Sequence, residues 1–482
     1  MNTKTKKQNP PKPEANSKFL IFNFKLFNFF RSPFSVLRFP FVIRNSSFVI
    51  FFRFPFLLVP FSLLLFTSCP EPTPPDYGLS LEAVDIVCTE ATFKVSAGID
   101  STSAWDCGLY RDDSLVISQS ISGGTGYLRD TGLEPNESYN YHIGYLKEGK
   151  ARDTSGTITI TTLDTTSSSF TWSEEFLFDD PCDVFGIRFR AVDIVSDDNI
   201  WVGGSFCDND SLYNATHWDG NQWIHYNTTD KSRTPFDVAV YDIQYFDQNN
   251  IWMLHELTPA FYNGVSTHVY IFYKDYPTMK NRAVYTLWGS APDDVWFGGD
   301  DGAIYHWNGE TFHYIHSGTD MTIWDMDGTS DGTVYLVAYN NQGCSCLLRI
   351  KDTTPEIVWE SEDANEWIYR ITVIEDVPHL VSNDGIRRFE PYSGTMRLLF
   401  HDVDDLFDMG PYRIEISGPS RNDLLIASPW KLMFHYNGKR LTLLHIRVDT
   451  NCRLLDMDYN GITYLSAGMK KTGQPVFYIG GR

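Results

Sequence analysis

After residue 76 the chain alternates apolar and polar residues in short stretches, and Gly, Asp, Asn or Pro interrupts the alternation every few positions. Residues 92–96, 108–116, 138–146 and 157–162 are the first of these stretches. A period of two between turn residues predicts β-strands with one buried face, and no long segment carries the 3.6-residue period of a helix. From residue 170 the alternation becomes a repeat. Asp197-Asp198-Asn199-Ile200-Trp201-Val202-Gly203-Gly204 returns as Asp293-Asp294-Val295-Trp296-Phe297-Gly298-Gly299, with Asn249-Asn250-Ile251-Trp252-Met253 between them. Weaker copies stand at residues 331–336, 422–427 and 460–465, and the poorest at 375–381.

Aligning Trp201, Trp252 and Trp296 with their substitutes at 335, 380, 425 and 464 gives steps of 51, 44, 39, 45, 45 and 39 residues. Three copies also show a second half: His217-Trp218-Asp219-Gly220, His306-Trp307-Asn308-Gly309 and His435-Tyr436-Asn437-Gly438. Asp-Gly or Asn-Gly between aromatic strands predicts a tight hairpin, here a type I′ turn with positive φ at both central residues. Each period then holds about four short strands, which is one blade of a β-propeller. Seven blades are expected, with six or eight left open by the poor copy near Val381. The last copy lacks an outer strand before the chain ends, and residues 170–177 resemble one. They are expected to complete the last blade and so protect its edge.

The repeats resemble those of bacterial propeller proteins that carry Asp-x-Trp-x-x-Gly and His-Trp-Asp-Gly signatures, and they differ from the WD-repeat type. That resemblance covers about 310 residues and implies a fold with little function attached. Residues 77–163 form a second unit, in which Leu133, Pro135, Tyr139 and Tyr141 follow the order Leu-x-Pro-x-x-x-Tyr-x-Tyr. This resembles the tyrosine corner of fibronectin type III domains, which implies a β-sandwich serving as a spacer or docking module. Residues 164–169 link it to the propeller at 170–482. The expected fold class is therefore all-β, a fibronectin type III-like β-sandwich followed by a β-propeller.

The apolar residues of 19–66 follow a different pattern. Lys25, Arg31, Arg38, Arg44 and Arg53 interrupt them, leaving one clean run at 54–66. Its 13 residues fall short of a bilayer span but match the core of a secretory signal. Leu65-Phe66-Thr67-Ser68-Cys69 follows, and it resembles the lipobox of bacterial lipoproteins, with Phe66 where that family usually has Leu. The resemblance implies that Cys69 is the acylated mature N-terminus, anchored stably by two or three chains. Residues 1–68 then read as leader, with 53–68 the signal peptide and the upstream part a start codon placed too early. Residues 69–76, rich in Pro, read as a stiff tether. The implied address is the bacterial cell envelope, the outer membrane in particular.

The formal charge of −22 becomes −31 once residues 1–68 are set aside. So acidic a chain, without a basic cluster, disfavours nucleic acid. Ca²⁺ is the one cofactor the acidic turns suggest, and Asp402, Asp404, Asp405 and Asp408 form the densest acidic stretch outside the repeats. No copy has the spacing of a known calcium loop, so turn chemistry is the simpler reading. His217, His306 and His435 recur at one blade position, and recurrence points to a structural hydrogen bond rather than a metal ligand. The repeated Trp residues read as inter-blade core by the same argument. Candidate disulfides are Cys88 with Cys107, Cys182 with Cys207, and one of Cys344 and Cys346 with Cys452.

No phosphate loop, nucleophile elbow or His-Glu-x-x-His motif occurs, so catalytic residues are not identified. The expectation is a non-enzymatic binding or scaffold module with a protein or glycan ligand on the propeller face. The alternative is a glycoside hydrolase or polysaccharide lyase whose site gathers residues from several blades.

Overall fold

The structure, a computed structural model, describes residues 76–482 apart from 101, 176–187, 230–237, 278, 280, 341, 362–365, 402–413, 429–432, 445–451, 462 and 471–474. Cys69, Cys182 and the acidic stretch Asp402, Asp404, Asp405 and Asp408 lie outside the described residues. No helix among the described residues is long and apolar enough to cross a membrane. The chain divides into residues 1–71 and a second compact unit, residues 72–482, which carries both β domains.

The first eight strands are β1 (Ser80–Ile86), β2 (Glu90–Ser96), β3 (Ala104–Arg111), β4 (Ser114–Ser122), β5 (Thr125–Thr131), β6 (Ser138–Lys147), β7 (Lys150–Thr154) and β8 (Ile158–Thr161). They form a β1-β2-β5 sheet and a β4-β3-β6-β7 sheet to which β8 adds through β6. Inward residues of both sheets, among them Phe93, Trp105, Leu109, Leu128, Tyr141 and Ile143, make one core. The expected single strand over 108–116 is instead a hairpin, because Asp112 and Asp113 adopt φ of 47° and 64°. Short acidic side chains tolerate this left-handed turn.

Seven four-stranded antiparallel sheets follow. The first strands of the seven blades are Arg188–Ser196, Val240–Asp247, Val284–Ala291, Thr322–Gly328, Ile368–Ile374, Glu415–Ser420 and Cys452–Tyr459. Blade seven takes its outer strand from β9 (Thr171–Glu175), which pairs with Pro475–Gly481. The two ends of the propeller thus share one sheet, and the ring closes without an open edge between its first and last blades.

The Asx-Gly turns differ from the type I′ expectation. Only the glycine is left-handed, at φ 87° in Gly220, 89° in Gly309 and 88° in Gly438. The preceding Asx side chain instead caps two amides. Asp219 Oδ1 accepts from Asn221 and Gln222, and Asn308 Oδ1 from Glu310 and Thr311. Asn263 does the same for Val265 and Ser266, which reveals a fourth copy, Tyr262-Asn263-Gly264, that the sequence comparison missed. A Cβ on Gly220 would lie 2.8 Å from Asp198 Cβ, and one on Gly309 2.8 Å from Asp293 Cβ. The two halves of the repeat are therefore packed against each other, and glycine is required where they touch.

The sandwich is docked on blades five and six through ion pairs. Arg388 Nη2 lies 2.6 Å from Asp85 Oδ2 and 3.1 Å from Glu390 Oε1, and these three side chains are only 3%, 4% and 2% exposed. Arg397 Nη1 donates to Glu90 at 3.0 Å, Arg129 pairs with Glu390, and Arg421 joins Asp85 to Glu375. Burial raises the Glu390 carboxyl, but Arg129 and Arg388 outweigh it and hold the group below its ordinary value. Buried charges are tolerable because each carboxylate meets more than one guanidinium. Asn422 Nδ2 donates to Asp164 O at 2.7 Å and extends the contact into the linker.

The cysteines correct the expected pairing. Cys88 and Cys107 are both free and buried. Cys107 belongs to the sandwich core, whereas Cys88 faces the propeller and donates to Asp164 O at 3.1 Å. Cys344 and Cys346 are also free, which removes a bond from either to Cys452. Cys207 is disulfide-bonded.

Candidate functional site

In blades one to five the first strand carries a register shift just inside its start, at Arg190, Tyr241, Tyr285, Trp324 and Tyr369. A bulge re-aims one side chain and bends the strand. Beyond it, residues from all seven first strands line a cavity of about 280 Å³ on the propeller axis. Two tiers face this channel. One holds Asp242, Thr286, Asp325, Arg370, Glu415 and Asp456, and the other, two residues further on, holds Asp193, Gln244, Trp288, Asp327, Thr372, Ser417 and Asp458.

Most of these carboxylates bind the backbone of the next blade. Asp193 Oδ2 accepts from Tyr245 N–H at 2.8 Å and Asp242 Oδ2 from Leu287 N–H at 3.0 Å. Asp325 and Asp327 accept from Ile371 and Val373 at 2.9 and 2.7 Å. Asp456 and Asp458 accept from Val192 and Ile194 at 2.6 and 2.8 Å. The bulges and the channel interrupt the sheet ladder, and the aspartates satisfy amides that would otherwise be orphaned.

The enclosing strands strip water from these acids. Burial pushes the Asp193, Asp242 and Asp327 carboxyls up to about 7, against the lowering effect of their backbone hydrogen bonds. Burial also lifts Glu415 to about 7 although Arg370 Nη2 lies 3.0 Å from it. Asp325 is raised, and Asp456 is raised well above its ordinary value, burial being the main cause in each. Chiefly through Glu415, the Arg370 guanidinium is held more firmly charged. One arginine therefore serves several acids. Among the described residues no group of three or more His, Cys, Asp or Glu side chains is placed to hold a metal ion.

At the mouth of the channel the bulged residues form an aromatic lip. The Arg190 guanidinium lies 3.9 Å from the Tyr241 ring centroid. Tyr285 contacts Trp324 at 4.5 Å, Trp324 stacks on Tyr339 at 5.4 Å, and Tyr339 meets Tyr369 at 5.5 Å and Trp367 at 6.3 Å. All of these rings except Tyr369 keep part of their surface accessible. The sequence reading missed this arc, because its members sit one residue off the alternating pattern. An aromatic directly after an apolar residue near the start of four first strands, as in Val240-Tyr241, Val284-Tyr285, Ile323-Trp324 and Ile368-Tyr369, was the available signal.

The repeated residues sit elsewhere. Trp201, Trp252 and Trp296 are buried in the second strands. Trp201 stacks on His217 at 4.4 Å and Trp296 on His306 at 3.9 Å. The histidine Nε2 then meets an Asx at the start of the same second strand, Asn199 at 2.9 Å for His217 and Asp294 at 2.7 Å for His306. In blade six the equivalent pair is His435 Nε2 and Asp423 Oδ1 at 2.8 Å, with Ser168 Oγ 2.8 Å from Nδ1. A Ser-His-Asp sequence of contacts has the composition of a catalytic triad. Here the histidine has no exposed surface, and the His-Asx pair recurs in two blades without the serine, so the arrangement is architectural. In the sandwich, Glu134 N–H donates to Tyr139 Oη at 3.0 Å, with Leu133 buried in the core and Pro135 half-buried between them.

No protein-family model matches the chain, and no curated protein does. Solved β-propellers are similar in fold. YCF48 bound to D1 peptide aligns over 64% of this chain and 96% of its own at 14% identity and a TM-score of 0.47. The β-propeller domain of Myceliophteria thermophila Cps50 (Swd1) covers 64% and 100% at 10% identity and 0.44, and the RRP9 WD40 repeats 64% and 100% at 10% and 0.45. By its own sheets, seven of four strands each after the sandwich, the chain is an all-β protein built from a β-sandwich and a β-propeller.

Proposed function

We propose that the chain is a cell-envelope lipoprotein, anchored through Cys69, that presents the aromatic lip of its propeller to a protein or glycan and carries out no reaction of its own. The observation that carries this reading is the division of labour around the axis. Most channel carboxylates are committed to inter-blade amides, and Glu415 to Arg370, whereas Tyr241, Tyr285, Trp324, Tyr339 and Trp367 keep accessible ring surface. Half-exposed rings stack on sugar faces and on apolar or cationic side chains, and they lose little entropy on binding. The fibronectin type III-like sandwich, fixed to blades five and six, would move as one body with that lip. The acidic surface opposes nucleic acid.

The test is a panel of envelope glycans and peptides against the full chain in detergent, repeated with Trp324→Ala and Tyr285→Ala. At least tenfold weaker binding of a panel hit by either variant is expected, and unchanged binding by both would overturn the lip as the site. Metabolic labelling with a fatty-acid analogue should mark the chain and spare Cys69→Ala. A second reading, a polysaccharide-cleaving propeller, draws on carboxyls lifted to about 7, a range suited to proton transfer. Reducing ends or unsaturated products released by the full chain and abolished in Asp327→Asn would favour it.

A further inference from the structure

The sheets expose several outer strands, and an open strand edge offers a row of backbone donors and acceptors to any other chain. Most edges here are blunted. The sandwich edges β1, β5 and β7 carry Glu82 and Asp85, Arg129 and Asp130, and Lys150, Arg152 and Asp153. The outer strand of blade four holds Pro355 and two glutamates, that of blade five holds Arg397, and those of blades one, two and six have three or four residues.

Strand β4 is, among the described residues, the longest outer strand left unblunted. It has nine residues, Ser-Leu-Val-Ile-Ser-Gln-Ser-Ile-Ser, with neither a charge nor a proline. It pairs only with β3 and stands at the end of its sheet. A bulge at Val116 disturbs its first third, and residues 117–122 then run in regular register. That regular part contains Ile117-Ser118-Gln119-Ser120-Ile121, which reads the same in both directions.

We infer that β4 pairs antiparallel with β4 of a second copy of this chain, about a two-fold axis through Gln119. A two-fold contact needs a self-complementary surface, and the palindrome supplies one. With Gln119 on the axis, Ile117 faces Ile121 of the second copy on the core side, and Ser118 faces Ser120 on the outer side. Both are favourable cross-strand pairs. A slip by one residue would set apolar against polar, so the register is specified. The same pairing sets Leu115 and Ser114 of each copy across from Gly123 and Gly124 of the other, with the acidic Asp112-Asp113 turn just beyond, so the charged ends meet neutral ones. In a chain of net charge −22 this uncharged strip is where two copies approach without like-charge opposition. The two five-stranded sheets become one of ten strands.

Light scattering on the full chain in detergent, after subtracting the micelle, should give the mass of two chains at tens of micromolar. Ser118→Lys/Ser120→Lys, both exposed positions that set lysine against lysine across the axis, should give one chain at the same concentration and leave the circular dichroism unchanged. Gln119→Cys should form a disulfide-linked dimer under mild oxidation at least tenfold faster than Val265→Cys, an 88% exposed control away from this edge. A single-chain mass for the unaltered protein, a dimer that persists in the double lysine variant, or equal cross-linking of the two cysteine variants would each overturn the assignment.

Discussion

Asp458 of blade seven accepts the backbone N–H of Ile194 in blade one at 2.8 Å, and its other oxygen accepts from Ser417 Oγ of blade six at 2.7 Å. One side chain therefore joins three blades at the seam where the ring closes. The outer strand β9 closes the same blade from the far side, so closure is fastened at both the axis and the rim.

Asp458→Ala should strand the Ile194 amide and leave Ser417 Oγ only its contacts with the Tyr459 backbone. Leaving a buried donor unpaired costs about 1–3 kcal/mol, so the urea midpoint should fall clearly. Asp458→Asn keeps an acceptor and should lose less. Equal midpoints for the unaltered protein and the alanine variant would show that the amide finds another partner.

Stability should depend on pH through the channel. The carboxyls of Asp193, Asp242 and Asp327 titrate near 7 in the fold and near 4 when unfolded. Between these values the native state holds more protons, so the stability these groups contribute is complete below about pH 4 and fades as pH rises to about 7. His379 works the other way. Burial first, and then Arg388, push its imidazole down to about 3, so it costs stability as pH falls below about 6.5. The decisive comparison is therefore differential: Asp193→Asn and Asp327→Asn should each flatten the decline in melting temperature between pH 5 and pH 8. A profile parallel to that of the unaltered chain would mean that these acids ionise normally.

Arg388 offers a test of the docked sandwich. Arg388→Met removes the most deeply buried cation shared by Asp85 and Glu390. Arg421 still meets Asp85, and Arg129 and Arg397 still meet Glu390, so the loss should fall below the roughly 3–5 kcal/mol of a fully broken buried pair. The sandwich should then come away first, and limited proteolysis should cut the linker around residues 164–169 faster.

The architecture was legible because it is written in local signals repeated many times. The Trp copies and the Asx-Gly copies each fix a turn and a strand, and their spacing fixes the blade. The channel and its lip were illegible for the opposite reason. Asp242 and Asp325 stand ten residues before the landmarks at 252 and 335, but Asp193 and Asp456 eight before those at 201 and 464, so no one offset marks the channel, and a bulge leaves no mark in a period-two pattern. The disulfide expectation failed at Cys88 because sequence separation says nothing about whether the turn between β1 and β2 faces the sandwich core or the propeller. The hairpin at Asp112-Asp113 was missed because two acids between apolar residues read as an interruption, and only their left-handed backbone makes them a turn.

The seam between blades three and four has no channel aspartate bridging it among the described residues; Thr322 Oγ1 reaches Asp300 Oδ1 only at 3.5 Å, and the closest fit there is one of shape. Trp288 projects across it onto Gly328, where an added Cβ would lie 2.3 Å from the indole Cζ2. Because φ at Gly328 is not left-handed, alanine is strained there only by this contact. Gly328→Ala should therefore overpack the seam and cost about 1–3 kcal/mol, while Trp288→Leu alone should leave a void and cost a similar amount. The two changes touch the same space, so the double variant should be more stable than the sum of the single losses predicts, with a coupling of about 1 kcal/mol or more in a double-mutant cycle. Additive losses would show that the indole moves aside freely, and that this seam is held by some contact other than the fit of Trp288 to a bare backbone.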